Sequence, residues 1–239
     1  MSGSAAPCSA TGSLRDCDHV KPAAIIFDFD GVIADSEIVS GELLGRTLTQ
    51  AGLPTSLEEA MDRYTGLNRI DTLAAIATHW GAQVPHDIAD RLAVETTLAF
   101  SQPLRPVDGI IDFLARVDHL PRAIASSSST GYIRAHLGGF GLNGRFGEHI
   151  YSGREHVTRG KPFPDLYLHA AAALGIAIGQ ALVIEDSPVG ARAGVAAGAR
   201  VFGIAAASHA RPKLSDALLA EGVERVFSSY TEMAEALAL

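Results

Sequence analysis

Two aspartates, Asp28 and Asp30, close an apolar segment near the start of the chain. The apolar run before them, ended by Gly31, is typical of a buried strand that turns sharply at its carboxyl end. In an open α/β sheet, ligands bind at that edge. Because the aspartates are two positions apart, both carboxylates would lie on one side of a continuing strand. A hard cation such as Mg²⁺ would offset their charge.

Two later apolar segments also end in polar residues. Residues 123–125 run into the serines at 126–129, and residues 181–184 run into Glu185 and Asp186. Between these segments, Lys161 lies in a loop that also contains two prolines. Each feature has a plainer interpretation, as a turn aspartate, a helix cap or a solvated lysine. Together they predict one site built from carboxylates, hydroxyls and an ammonium group.

The chain alternates strands with helices, which indicates a parallel sheet covered on both faces. We predict strands at residues 24–28, 123–126, 149–151, 181–185, 200–204 and 225–227. We predict helices at residues 108–117, 130–138, 164–174, 188–197 and 213–221. Gly190, Gly194 and Gly198 fall in or just after one of these helices, although glycine inside a helix costs up to about 1 kcal/mol. We interpret them as close packing on the sheet, with no functional role.

Residues 37–102 contain almost no strand pattern and show apolar spacing for four helices. Ser56, with Glu59 three residues later, is a capping box that predicts the start of the second helix. We therefore expect a helical segment inserted after the first strand.

The motifs resemble, in order, those of the haloacid-dehalogenase superfamily of hydrolases, in the branch with a helical cap. FDFDGVIADSE is similar to its nucleophile motif, and IASSSS to its hydroxyl motif. GKPFPD is similar to its lysine motif, and VIEDSPVGARAGVAAG to its acidic metal motif. Four motifs in the right order make the resemblance specific. It implies an α/β fold, a Rossmann-like parallel sheet core with an inserted four-helix cap domain.

This resemblance also predicts the domain organisation. We expect a flexible amino-terminal tail over residues 1–22. The catalytic core would comprise residues 23–36 plus 104–239, and the cap residues 37–103.

The resemblance gives each motif residue a role. Asp28 would be the nucleophile, Asp30 the general acid–base, and Ser126 a phosphoryl-binding hydroxyl. Lys161 would neutralise Asp28 and the phosphoryl group, and its bond to Pro162 would be cis. The family pattern implies one Mg²⁺ cofactor. Its predicted ligands are Asp28, Asp30 through its backbone carbonyl, Glu185 and Asp186, with Glu185 acting either as a ligand or as a partner of the ligands.

Substrate-binding residues are predicted in two places. Ser127 and Ser128 offer amides or hydroxyls near the phosphoryl group, and a helix starting near Thr130 would add its free amides. In the cap, the loop at residues 64–69 would provide substrate contacts through Asn68 and Arg69. A solvated position at the start of a helix is the alternative for Arg69.

We therefore expect an Mg²⁺-dependent phosphatase of a small phosphomonoester, such as a sugar, sugar-acid or polyol phosphate, acting through an aspartyl-phosphate. A phosphohexomutase of the β-phosphoglucomutase type is the alternative. That group carries a histidine where this chain has Ser40 and a lysine in the cap, whereas residues 36–105 contain no lysine. A non-catalytic phosphate-binding protein is a further alternative, which the complete set of motif residues disfavours.

Composition restricts the partners. A formal net charge of −8 argues against a nucleic-acid partner and against an anionic membrane surface. The two cysteines, Cys8 and Cys17, both lie in the amino-terminal stretch and provide no metal-ligand spacing. We expect a cytoplasmic monomer or weak homo-oligomer whose partner is a small phosphorylated metabolite.

Overall fold

The computed structural model describes residues 21–64, 67, 69–99, 103–207 and 212–239. Most of the tail predicted over residues 1–22 lies outside these ranges, as does Asn68 of the predicted cap loop. Among the described residues, no helix is long and apolar enough to cross a membrane.

A six-stranded, fully parallel sheet forms the centre of the molecule. Its strands are β1 (Ala24–Phe27), β2 (Arg122–Ser126), β3 (Ile150–Ser152), β4 (Ala181–Glu185), β5 (Arg200–Ile204) and β6 (Arg225–Phe227). They follow the order β3-β2-β1-β4-β5-β6, so β1 lies between β2 and β4. All six strands were predicted from the apolar pattern to within one residue at each end.

Ten α-helices accompany the sheet in the described part of the chain. They are α1 (Glu37–Gln50), α2 (Leu57–Tyr64), α3 (Arg69–Trp80), α4 (Ile88–Ala99), α5 (Ile110–Arg116), α6 (Thr130–Gly139), α7 (Asp165–Ala173), α8 (Pro188–Ala197), α9 (Pro212–Ala220) and α10 (Tyr230–Ala236). Short 3₁₀ helices occupy Gly81–Gln83 and Ile178–Gln180. Of the ten α-helices, only α10 is absent from the elements predicted by the sequence.

Both faces of the sheet are buried, which explains the continuous apolar runs of its strands. On β1, the side chains of Ile25 and Phe27 join one hydrophobic cluster, and Ile26 joins the cluster on the opposite face. Helices α5, α6 and α10 contribute to the first cluster, and α7 and α8 to the second. The alternation of side chains along a strand therefore provides two separate cores.

Helices α1 to α4 bury a third cluster of their own. It contains Leu48, Leu53, Tyr64, Ile76 and Ile88. The capping box at the start of α2 is confirmed, because Glu59 N donates to Ser56 Oγ at 3.2 Å and Ser56 N donates to Glu59 Oε2 at 2.9 Å.

The chain leaves and re-enters the sheet region through two adjacent segments. Asp35 N donates to Arg105 O at 2.9 Å, and Val107 N donates to Ile33 O at 2.9 Å. These bonds pair the segment before α1 with the segment that precedes α5. The helical insert is thus attached directly beyond the carboxyl end of β1, which is the edge where the predicted chemistry lies.

Candidate active site

The predicted residues meet at the carboxyl edge of the sheet. Phe27, the last residue of β1, is in register with Ile124 of β2 and Ile184 of β4. Asp28 follows β1 directly, while Ser126 and Glu185 are the last residues of β2 and β4. Three neighbouring strands therefore deliver their polar residues to one place, as expected where a parallel sheet binds a ligand.

Asp28 lies in this edge with its backbone fixed by the sheet. Its N–H donates to Ile184 O at 3.0 Å, which continues the β1–β4 pairing by one residue. The residue is only 8% exposed. Burial raises the pKa of the Asp28 carboxyl well above its ordinary value, Lys161 opposes this shift, and the nearby Glu185, Asp186 and Asp30 reinforce it. Crowded buried carboxylates of this kind favour the arrival of positive charge.

Lys161 supplies one positive charge from the loop before α7. Its Nζ donates to Asp28 Oδ1 at 2.7 Å and to Glu185 Oε1 at 2.6 Å, and its side chain is 5% exposed. Burial alone would lower the pKa of Lys161, but the two carboxylates outweigh it and raise the pKa above its ordinary value. The ammonium group therefore stays charged between them. The Lys161–Pro162 bond is cis, as predicted.

Glu185 is fully buried and its two oxygens are shared among several donors. Oε1 accepts from Lys161 Nζ and, at 2.6 Å, from the hydroxyl of Tyr167. Oε2 accepts from Asp186 N at 3.1 Å, Ser187 N at 3.2 Å and Ser187 Oγ at 3.0 Å. Of the two roles predicted for Glu185, this bonding favours a partner that orients the site over a direct metal ligand.

Gly190 makes room for this carboxylate at the start of α8. A Cβ at Gly190 would lie 1.7 Å from Glu185 Oε1, closer than any real contact. The prediction that the glycines of this helix serve sheet packing is confirmed for Gly194, where a Cβ would meet Val201 Cγ2 at 2.9 Å. Gly190 also approaches the sheet closely, because Glu185 is the last residue of β4. The prediction was wrong for Gly198, which follows α8 at a φ of 84° and has no atom of the described residues within 4 Å of an added Cβ.

Three acidic residues can hold a metal ion here. Asp28, Glu185 and Asp186 are all buried, and each offers a carboxylate oxygen within 4.8 Å of the others. An all-oxygen, anionic set of this kind suits Mg²⁺ and gives no soft ligand for zinc or iron. Glu185 accepts five hydrogen bonds from the protein itself, which makes it the least suited of the three to coordinate the ion directly. The carboxylate of Asp30 is outside this group, which leaves its predicted backbone ligation as a prediction.

The carboxyl of Asp30 is held on a different side, by residues following β2. Ser128 Oγ donates to Asp30 Oδ2 at 2.6 Å, and Tyr132 OH donates to Asp30 Oδ1 at 3.2 Å. Asp30 is half-buried. Its carboxyl therefore has its own set of hydrogen-bond partners, separate from the Lys161 and Glu185 pair that contacts Asp28.

The serine run provides one buried hydroxyl and one exposed one. Ser126 is 1% exposed and its Oγ accepts from Ser128 N at 3.0 Å, whereas Ser127 is exposed. The helix predicted near Thr130 begins there as α6. The expectation that its free amides bind an anion is wrong for Thr130, because Thr130 N donates to Glu155 Oε1 at 3.0 Å.

Of the two predicted cap residues, the structure describes the position of one. Arg69 begins α3, while Asn68 falls outside the described residues. The contribution of both to substrate binding stays a prediction.

Tyr132 and Tyr167 were missed by the sequence reasoning. Each lies on a helix, where spacing predicts an apolar face but not the reach of a hydroxyl. Tyr167 gave one signal, since it lies two residues after the lysine motif, whose last residue, Asp165, begins the same helix. Tyr132 gave none.

Comparisons with known proteins agree with the family that the motifs resemble. A family model described as "Haloacid dehalogenase-like hydrolase" matches residues 25–204. The 6-phosphogluconate phosphatase of Escherichia coli K12 is 25% identical over 190 residues, which cover 79% of this chain and 85% of that protein. The fructose-1-phosphate phosphatase of the same organism is 31% identical over 184 residues, covering 75% of this chain and 95% of that one.

A solved structure shares the architecture as well. The HAD family hydrolase of Deinococcus radiodurans R1, with bound phosphate and sodium, is 36% identical to this chain. The match has a TM-score of 0.78 and covers 90% of this chain and 96% of that structure.

Proposed function

The chain belongs to the haloacid dehalogenase-like hydrolase family and is a phosphoric monoester hydrolase, and on that premise we propose that it cleaves a small sugar, sugar-acid or polyol phosphate with Mg²⁺ and an aspartyl-phosphate intermediate. The observation that carries the proposal is the buried Asp28 carboxylate with Lys161 Nζ at 2.7 Å and two further carboxylates beside it.

In the first step, Asp28 acts as the nucleophile. One of its oxygens forms a bond to phosphorus while the bond between phosphorus and the substrate's alcohol oxygen breaks. Lys161, held by Asp28 and Glu185, neutralises charge on the nucleophile and on the transferring phosphoryl group. The Ser126 hydroxyl would contact a phosphoryl oxygen, and Ser127 would add donors at the same end of β2. The predicted contribution of Ser128 would be indirect, because its N–H donates to Ser126 Oγ and its hydroxyl donates to Asp30.

Asp30 moves the proton in both steps. Its carboxylic acid protonates the departing alcohol oxygen, and the resulting carboxylate then takes a proton from water. That water attacks the phosphorus, the bond from phosphorus to Asp28 breaks, and inorganic phosphate leaves. Each turnover therefore restores both carboxyl groups.

Residues Asp28 and Asp186 would hold the Mg²⁺, with the backbone carbonyl of Asp30 as a further ligand and Glu185 orienting the set. When bound, the ion supplies positive charge at the phosphoryl oxygens. Its charge would also favour the ionised form of Asp28, whose pKa burial otherwise raises.

Substrate choice would depend on the inserted helices. We propose that residues 37–103 are a cap on a core of residues 23–36 plus 104–239, and that the cap loop presents Asn68 and Arg69 to the part of the substrate distant from phosphorus. Two curated relatives are named as phosphatases of phosphorylated sugar-type metabolites, which supports this substrate class.

The test is phosphate release from a panel of sugar, sugar-acid and polyol phosphates with Mg²⁺, comparing the wild type with Asp28→Asn. We expect release by the wild type and a loss of at least about 10³-fold in the variant, because an amide cannot form the acyl-phosphate. Acid-quenched wild type analysed by intact mass would show the phosphorylated protein. Isomer formation without phosphate release would instead identify a mutase, and near wild-type turnover by Asp28→Asn would refute the mechanism.

A further inference from the structure

Both oxygens of the Asp30 carboxyl accept a hydrogen bond, and one of the two donors is a tyrosine that lies outside every motif. Ser128 Oγ reaches Oδ2 at 2.6 Å from the loop after β2. Tyr132 OH reaches Oδ1 at 3.2 Å from the first turn of α6. Donors on both oxygens fix the plane of a carboxyl group as well as its position.

Tyr132 is itself fixed in place. Its ring packs edge-on against Phe29, with centroids 5.9 Å apart, and against His136, with centroids 4.5 Å apart. Phe29 lies between Asp28 and Asp30, so this contact ties the tyrosine to the loop that carries both aspartates.

The start of α6, which carries Tyr132, is anchored as well. Ser129 Oγ accepts from Tyr132 N at 3.4 Å. Glu155 accepts from Thr130 N at 3.0 Å and from Thr130 Oγ1 at 2.6 Å. The capped helix and the two aromatic contacts therefore restrain the Tyr132 side chain, and with it the position of its hydroxyl.

We propose that Tyr132 is a positioning residue that orients Asp30 for protonation of the leaving alcohol. The inference rests on the proposed function, in which Asp30 gives its proton to the alcohol oxygen as the bond from that oxygen to phosphorus breaks. The two donors set the plane of the carboxyl, so that the oxygen carrying the proton points to the substrate. Losing the tyrosine hydroxyl leaves Ser128 alone, and the carboxyl can rotate out of that plane.

The effect should depend on the leaving group. An alcohol that is a poor leaving group needs the proton from Asp30 in the transition state, whereas a good one departs with little help. A general loss of structure would instead slow every substrate alike. The leaving-group dependence of kcat/KM, which reports the steps through alcohol departure, therefore separates positioning from packing.

The experiment compares wild type and Tyr132→Phe on 4-nitrophenyl, phenyl and benzyl phosphate with saturating Mg²⁺. These substrates share a ring and differ in how readily the alcohol leaves. We expect kcat/KM of Tyr132→Phe to fall about tenfold or more for benzyl phosphate, because the hydrogen bond to the carboxylate charge that develops as Asp30 releases its proton is lost. The loss should be progressively smaller for phenyl and 4-nitrophenyl phosphate. Equal losses on all three, or no loss on any, would overturn the proposal.

Two more variants complete the design. Tyr151→Phe is the control: it removes a tyrosine hydroxyl on β3 that forms a hydrogen bond of 2.9 Å with His149 Nδ1. It should leave kcat/KM for all three substrates unchanged. Ser128→Ala removes the other donor without touching an aromatic contact. It should show the same graded loss. A uniform loss or no loss in Ser128→Ala would overturn the proposal that the two donors position Asp30, even if circular dichroism shows that Tyr132→Phe fails to fold.

Asp30→Asn distinguishes failure of this inference from failure of the proposed function. If Asp30→Asn shows a graded loss and neither Tyr132→Phe nor Ser128→Ala does, the positioning role is wrong and the acid role of Asp30 stands. If Asp30→Asn shows no graded loss, the acid role falls and the positioning role falls with it.

Discussion

At the residue scale, Glu185 connects Tyr167 to the ion pair between Lys161 and Asp28. Its Oε1 accepts from both Lys161 and Tyr167, and Lys161 in turn donates to Asp28. Tyr167 is fully buried, and its ring lies 4.9 Å from Lys161 Nζ. Burial, with the adjacent Glu185 charge, raises the pKa of Tyr167, so its hydroxyl remains a donor. The tyrosine thus supports the Glu185 carboxylate and the Lys161 ammonium group that contacts Asp28.

We predict that Tyr167→Phe lowers the free energy of unfolding by about 1.5–3 kcal/mol, because a buried hydrogen bond to a charged group is lost. Urea unfolding would measure it. Tyr230→Phe is the matched control, since that tyrosine is equally buried but donates to a backbone carbonyl, Val32 O, at 2.8 Å. Its loss should be about 0.5–1.5 kcal/mol. A smaller loss for Tyr167→Phe than for Tyr230→Phe would contradict this account.

The sequence predicted the site residues at the strand ends, but not the tyrosines that donate hydrogen bonds to the site carboxyl groups. Asp28, Ser126 and Glu185 were placed at one edge because parallel strands end together, a rule that needs only the strand pattern. Tyr132 and Tyr167 could not be predicted in this way. Their hydroxyls act across 102 and 18 residues of sequence, and only the packing of α6 and α7 on the sheet brings them to their carboxylates.

At the element scale, the start of α8 is shaped around Glu185. We predict that Gly190→Ala destabilises the protein by about 1–3 kcal/mol, because the new Cβ would overlap the Glu185 carboxylate. Activity should fall by more than the fraction unfolded explains, since Glu185 must move away from Lys161. Thermal unfolding and turnover of the same samples would measure both effects.

Gly139→Ala is the matched control for that variant. Gly139 ends α6 and has open space around its Cα, so alanine there should keep activity and raise stability by up to about 1 kcal/mol. A stable, active Gly190→Ala protein would show that α8 can shift to accommodate the methyl group.

Helix α10 was not predicted from the sequence, although a capping pattern marks its start. Ser229 Oγ accepts from Glu232 N at 3.1 Å, and Glu232 Oε2 accepts from Ser228 N at 3.0 Å. This resembles the capping signal that correctly predicted α2 from Ser56 and Glu59. The signal was present after β6, and Tyr230, Met233, Ala234 and Leu237 follow the apolar spacing of a helix, so both patterns in the sequence indicate α10.

The insert contributes a prediction of its own through Arg69, at the start of α3. We expect Arg69→Ala to lower kcat/KM for the preferred sugar-type phosphate about ten- to a hundredfold, the cost of a charge-assisted hydrogen bond. An aryl phosphate lacks the distal group and should lose little. Measuring both substrates separates recognition from folding, because a destabilised cap would lower both rates together.

On the scale of the whole molecule, the distribution of charge matters more for cation binding than the net charge does. The chain carries a formal net charge of −8, and Asp28, Glu185 and Asp186 concentrate three acidic groups in one buried place. Lys161 offsets only part of that charge. The folded state therefore gains from a cation at the sheet edge that the unfolded chain cannot bind as a site, and metal binding should appear as global stability.

We predict that Mg²⁺ raises the melting temperature of the chelator-treated protein and restores its activity. At about 100 times the dissociation constant, binding contributes about 2.7 kcal/mol, or roughly 5–10 °C for a chain of this size. Asp186→Asn should lose most of this Mg²⁺-dependent shift, while Asp112→Asn, at an exposed position on α5, should keep it. The comparison is made within each variant, with and without the ion, so that any intrinsic change in stability cancels. An equal shift in Asp186→Asn would place the stabilising ion elsewhere, and full activity after chelation would separate catalysis from the metal altogether.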